Sequence, residues 1–256
     1  GRILSGVERF SEDGYAVFPA FKSSGELNRL RRRAEEIASD CDRGHVSVFS
    51  TRDQAQKSDA YFLTSGDKIR CFFEEDGKTV NKIGHAMHDL DPVFEKFSHD
   101  HRLDEIAAQA GIADPVLYQS MYIFKQPRLG GAVDWHQDAA FLRTEPVSVT
   151  AFWFALDNAD RSNGCLWVQP GGHRSPLRNQ FVVRNGQAEM QTLDSTPWPE
   201  LTQAVPVEVE AGALVVFDGL LPHYSAPNRS DKPRHAYTLH AVDARARYAP
   251  DNWLQR

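Results

Sequence analysis

Apolar residues recur at helical spacing near the start of the chain and give way to short runs after Pro115. Leu27, Leu30, Ala34, Ile37 and Cys41 fall on one stripe of a 3.6-residue period. That spacing predicts an amphipathic helix with one face on a core, capped by Ser23 or Ser24. Ahead of it, the apolar run Tyr15–Phe18 reads as a short strand between Gly14 and Pro19. Further helical pieces are expected around 84–99 and 101–110, where Leu103, Ile106, Ala107 and Ala110 share a face before Gly111. The stretch 62–70 reads as a turn between extended pieces, and Ile69, Cys71 and Phe73 alternate. From Pro115 the runs are 116–126, 148–156, 165–169, 181–183, 205–209, 213–218 and 234–242. Turns such as Leu129-Gly130-Gly131, Asn163-Gly164 and Pro170-Gly171-Gly172 separate them. Many short strands with Gly/Pro turns indicate a β-sandwich or barrel. The chain therefore reads as one mainly-β domain over 1–256, with a helix-rich flanking part (1–114) and a β core (115–256).

Composition narrows the class. A net charge of −6 over 256 residues argues against nucleic acid as the main partner. No run of about 18 apolar residues indicates a membrane span, and the first residues carry no long apolar leader. The three cysteines are widely spaced and lack C-x-x-C, so no disulfide framework is expected and a reducing, cytoplasmic setting is. With no long apolar stripe left for a partner, a monomer acting on a small molecule is the expectation.

The chemistry centres on His136-Gln137-Asp138. In an extended segment, residues two apart project from one face, so an imidazole and a carboxylate stand side by side. Two histidines and one carboxylate with other positions open suit non-haem iron(II). One H-x-D triplet is weak evidence, so a third ligand is needed. The candidates are His173, His223, His235 and His240. His173 sits in a glycine turn and reads as structural. His223 follows the apolar run 213–217, has Ser225 two residues on, and is returned to by a hairpin that brings in Arg234. Hydroxyl plus guanidinium makes a carboxylate grip. His240 shares the strand parity of Arg234 and reads as a supporting or core histidine. His85, His88, His99 and His101 read as solvated or capping groups, and the basic run from Arg29 to Arg33 as a solvated helix face. Trp135, Gln137 and Phe141 are expected to border a substrate pocket.

Longer stretches carry a family resemblance. They are Ser65-Gly66-Asp67-Lys68-Ile69-Arg70, Asn81-Lys82-Ile83-Gly84-His85-Ala86, Ser120-Met121-Tyr122-Ile123-Phe124-Lys125-Gln126-Pro127, His136-Gln137-Asp138, Asn163-Gly164-Cys165-Leu166-Trp167, Arg234-His235-Ala236-Tyr237-Thr238 and Asn252-Trp253-Leu254-Gln255. With these the chain resembles the phytanoyl-CoA dioxygenase superfamily of Fe(II)/2-oxoglutarate oxygenases, most closely the branch of domain-containing protein 1. The resemblance implies a double-stranded β-helix (jelly roll) with the metal at one open end. It implies iron ligands at His136, Asp138 and His223, with Arg234 and Ser225 on the distal carboxylate of 2-oxoglutarate. Lys82, Met121 and Trp153 match other cosubstrate contacts. O2 is the third reactant, and hydroxylation with release of succinate and CO2 is the implied outcome. Related halogenases lack the carboxylate that Asp138 supplies. Two alternatives remain beside this reading: a non-catalytic sensor that binds metal and 2-oxoglutarate on the same fold, and a zinc-dependent hydrolase that would leave Arg234 and Ser225 without a role. The loops at 77–81 and 184–204 differ from those of the family and bear on substrate choice.

Overall fold

The computed structural model describes residues 9–42, 44, 47, 48 and 60–256. Strand β1 (Tyr15–Phe18) precedes helix α1 (Ser24–Ser39). A capping box fixes the start of α1: the Ser23 hydroxyl accepts from the Glu26 amide, and the Glu26 carboxylate accepts from the Ser23 amide. The short α2 (Ala60–Leu63) leads to β2 (Ile69–Phe73) and β3 (Val80–His85), then to α3 (Met87–Leu90), α4 (Pro92–Ser98) and α5 (His101–Gln109). The helical pieces expected around 84–99 are thus α3 and α4, which start only at Met87. Pro92 can only begin a helix, and Asp91 caps the new start by accepting from the amides of Val93 and Phe94.

The remaining strands are β4 (Pro115–Ile123), β5 (Val133–His136), β6 (Thr144–Glu145), β7 (Thr150–Ala155), β8 (Leu166–Val168), β9 (Asn179–Arg184), β10 (Gln187–Thr192), β11 (Val205–Val207), β12 (Leu214–Asp218), β13 (His223–Ser225), β14 (Ala236–Asp243) and β15 (Arg247–Tyr248). Seven form one antiparallel sheet in the order β1-β12-β7-β14-β4-β3-β2, and four form a second in the order β11-β8-β13-β5. Three strands of the large sheet, β1, β2 and β3, come from the first 114 residues. The sequence pattern shows no strand over 81–85, only helical pieces from about residue 84. Asn81, Lys82 and Gly84 break any apolar alternation there, and β3 forms because β2 and β4 pair with it on both sides.

Every residue of β7 and β14 is buried, because the large sheet is covered on both faces. On one face Phe152, Phe154, Tyr237 and Leu239 meet Leu30 of α1 and Phe94 and Phe97 of α4. On the other, Ala151, Trp153, Ala155 and Ala236 share a cluster with Leu166 and Val168 of the small sheet. The alanines leave room between the sheets, and a cavity of about 450 Å³ opens there. Among the described residues no helix is long and apolar enough to cross a membrane.

One expectation is overturned. Cys41 and Cys71 are joined by a disulfide. They are 30 residues apart in sequence, but the last turn of α1 packs against β2 and brings their Cα atoms to 6.0 Å. Cys165 is free and buried.

Candidate metal and cosubstrate site

Strand β5 ends at His136, and Asp138 opens a short 3₁₀ turn. Gln137 between them is extended, so the two flanking side chains leave on the same side. β13 pairs with β5 so that His223 stands opposite His136. Asp138 Oδ1 lies 3.4 Å from Nε2 of each imidazole, and the two rings are 4.1 Å apart. Backbone carbonyls set both tautomers: Nδ1 of His136 donates to Asp134 O (2.8 Å) and Nδ1 of His223 to Leu221 O (3.0 Å). A carbonyl oxygen only accepts, so each Nε2 is left free to ligate a metal. The three ligand atoms lie within 4.8 Å of one another.

Electrostatics agree with a cation site. Burial alone would push the Asp138 carboxyl up, but the neighbouring imidazoles of His223 and His240 outweigh it and hold the group well below the usual carboxylate range. Burial, and then the ring of His223, pull His136 down toward the neutral form a ligand needs. His240 lies behind the carboxylate, with Nε2 3.0 Å from Asp138 Oδ2. Since the carboxylate accepts, that nitrogen carries the proton and holds the outer oxygen away from the metal position.

The other end of the cavity is an anion seat. Arg234 is 2 % exposed, and its Nη2 donates to Gly164 O (3.1 Å). Its Nε and Nη1 are buried with no partner among the described residues. Burial draws this guanidinium down to about 10, which still leaves it charged at neutral pH. Ser225 Oγ donates to Gly164 O (2.9 Å) and accepts from Lys125 Nζ (3.1 Å), and Lys125 also donates to Gly131 O (2.8 Å). Two buried basic groups thus face one place, and burial, then Arg234, push the Lys125 amine well below its usual range. A dicarboxylate with a charged far end fits that seat. The three ligating side chains likewise fit a divalent metal.

The structure brings all eight sequence-predicted residues to one cavity wall: His136, Asp138, His223, Lys82, Met121, Trp153, Ser225 and Arg234. Trp153 lies under the Arg234 guanidinium at 5.4 Å. Lys82 Nζ lies 5.3 Å from the Phe62 ring and 5.5 Å from that of Phe72. Trp135 and Phe141 line the cavity, but Gln137 does not: its amide clamps Pro176 O, Leu220 O and the Arg178 amide. His85 and His88 are fully buried rather than solvated, and His85 lines the cavity. Arg31 and Arg33 of the basic run are tied to Asp157 and Asp91. Lys125 was missed by sequence reasoning. Its signal was a lysine closing the apolar run Tyr122-Ile123-Phe124, where a solvated residue would be out of place.

Comparison with known proteins agrees with this geometry. Residues 10–236 match the family described as Phytanoyl-CoA dioxygenase (PhyH). The chain is 42 % identical over 273 residues to phytanoyl-CoA dioxygenase domain-containing protein 1 of Bos taurus, covering 98 % of this chain and 94 % of that one. AviO1 from Streptomyces viridochromogenes Tue57 superposes with a TM-score of 0.67 at 25 % identity, over 96 % of this chain and 97 % of that one. EctD from S. alaskensis, solved with 2-oxoglutarate and 5-hydroxyectoine, shares the fold: TM-score 0.68 at 20 % identity, over 95 % and 77 % of the two chains.

Proposed function

The chain belongs to the phytanoyl-CoA dioxygenase family, and from that premise we propose that it is an iron(II)- and 2-oxoglutarate-dependent dioxygenase that hydroxylates a small or medium organic substrate. The observation that carries the reading is the pairing, in one cavity, of a His136–Asp138–His223 ligand set with the unpartnered Arg234 guanidinium. We read the two facing sheets as a double-stranded β-helix, with 1–114 flanking a core over 115–256.

In this reading the three ligands hold iron(II), which supplies oxygen activation when bound. Arg234, Ser225 and Lys125 hold the distal carboxylate of 2-oxoglutarate, while Lys82, Met121 and Trp153 flank it. One oxygen atom of O2 enters a substrate C–H bond as hydroxyl and the other enters succinate, with CO2 as the carbon lost. Asp138 keeps the carboxylate position filled, which favours hydroxylation over halide transfer. His240 keeps that carboxylate on one oxygen.

The test is succinate formation from 2-oxoglutarate by anaerobically iron-loaded protein on admission of oxygen. Turnover in the wild type that vanishes in Asp138→Ala is expected. A protein that binds iron and 2-oxoglutarate yet yields no succinate with any additive would instead be a binding protein that has kept the site.

A further inference from the structure

The geometry points to a small substrate bearing a hydroxyl or amino hydrogen-bond donor, read by His85 and Gln119 beside the metal site; this rests on the oxygenase reading above. β4 and β14 pair so that Gln119 stands directly opposite His240, and both line the cavity. His240 is tied through Nε2 to Asp138 Oδ2 at 3.0 Å, so Gln119 lies beside the metal site.

The bare acceptor is on His85. Ser65 Oγ has one proton and gives it to Phe62 O, 2.5 Å away. Its 2.7 Å contact with His85 Nδ1 therefore needs the proton on that nitrogen. His85 Nε2 is left as a bare, buried acceptor without a partner among the described residues. The ring is wedged by Phe62, Phe72 and Trp253 at 5.1, 5.4 and 5.0 Å, so it is held against turning away. Gln119 is 7 % exposed and lines the same cavity.

Buried acceptors without donors cost roughly 1–3 kcal/mol each, and native chains rarely keep them idle. A ligand that brings donors removes that cost, and a look-alike without them does not. Charge and size narrow the class further. The cavity holds about 450 Å³, which the substrate shares with 2-oxoglutarate. Its lining basic residues are Lys82, Lys125 and Arg234, which the proposed reading assigns to the cosubstrate, and its other ionisable groups outside the metal site are the carboxyls of Glu74, Glu75 and Asp134. The phosphates of an acyl-CoA find no seat there, whereas a neutral or cationic donor-rich molecule does.

The test uses the full chain loaded with iron and 2-oxoglutarate. Succinate formation is read with palmitoyl-CoA, and with a library of small polyols, sugars, amino alcohols and amines. At least one library compound is expected to raise the rate several-fold, palmitoyl-CoA is not, and the analogue lacking the donor group loses the effect in the wild type. Gln119→Met and His85→Phe are each expected to raise KM for the active compound about tenfold or more, as loss of a buried hydrogen bond does, while KM for 2-oxoglutarate moves much less. Stimulation by palmitoyl-CoA, an inactive library, or an active compound indifferent to both substitutions overturns the assignment. No succinate at all from iron-loaded protein removes the oxygenase reading, and this one with it.

Discussion

Replacing Arg234 by methionine separates the cosubstrate seat from the metal site and from folding. The side chain is 2 % exposed, and its Nε and Nη1 have no partner among the described residues. A carboxylate placed there gains two charge-assisted hydrogen bonds, each worth about 1.5–3 kcal/mol. Lys125 and Ser225 remain and recover part of that, so the net loss in Arg234→Met is about 2–4 kcal/mol, a Kd for 2-oxoglutarate weaker by roughly 30- to 1,000-fold. In the proposed reading iron affinity rests on His136, Asp138 and His223 and should be nearly unchanged. The sign of the stability effect is opposite to that of the binding effect. A buried guanidinium without a counter-ion costs free energy, and methionine of similar length removes that cost. The cosubstrate-free variant should therefore melt no lower than the wild type, and higher if anything. Arg234→Lys should fall between, since it keeps the charge and loses the planar fork. Anaerobic calorimetric titration of 2-oxoglutarate into iron-loaded protein reads the first effect, and a melting curve without 2-oxoglutarate the second. A 2-oxoglutarate Kd near the wild-type value, or iron and 2-oxoglutarate affinities that fall together, would refute the argument.

Gly164→Ala should damage the same seat from the backbone side. Its φ of +87° disfavours any Cβ, and the added atom would meet Ala226 O and, at 2.6 Å, Lys125 Cε; a melting temperature and 2-oxoglutarate affinity that both stay at wild-type values would contradict this. Acid should destabilise the fold before the carboxylates titrate. Burial pulls His88 and His235 down to about 4 from 6.5, so between those values the unfolded chain binds more protons than the native one. Stability is then full above about pH 6.5 and lost as the pH falls toward 4; a flat melting temperature across that window would count against it. Reducing the Cys41–Cys71 bond, which spans 30 residues of chain, should cost roughly 2–4 kcal/mol. Melting with and without reductant, beside Cys71→Ser, measures it, and identical curves would mean the bond contributes nothing.

The regular parts of the fold were legible because each announces itself locally. The stripe Leu27, Leu30, Ala34 and its serine cap gave α1, and the apolar runs of β7, β12 and β14 gave the middle of the large sheet. That His136, Asp138 and His223 come together was legible because an H-x-D and a histidine–serine–arginine hairpin keep their spacing whatever surrounds them. Other features depend on residues far apart in sequence. The Cys41–Cys71 bond follows from where α1 lies on β2, and the clamp made by Gln137 follows from the loops carrying Pro176 and Leu220. No local window contains either.

The failures are not scattered at random along the chain. β3 went unread as a strand because it carries Asn81, Lys82, Gly84 and His85 where an ordinary strand would carry apolar residues, and Lys82 and His85 line the cavity. Lys125 sits just past the end of β4 in a left-handed conformation (φ 41°) and reaches the Ser225 hydroxyl. β13 is three residues long, with its register to β5 shifted between His223 and Ser225. In each place the chain gives up local preference, and the neighbouring strands hold it in shape. Such inconsistency is expected where side chains are placed for a ligand rather than for the core. Pairing with β2 and β4 lets β3 carry a lysine and a histidine into the interior. Substitutions that weaken those pairings should therefore disturb cosubstrate and substrate binding before they unfold the protein.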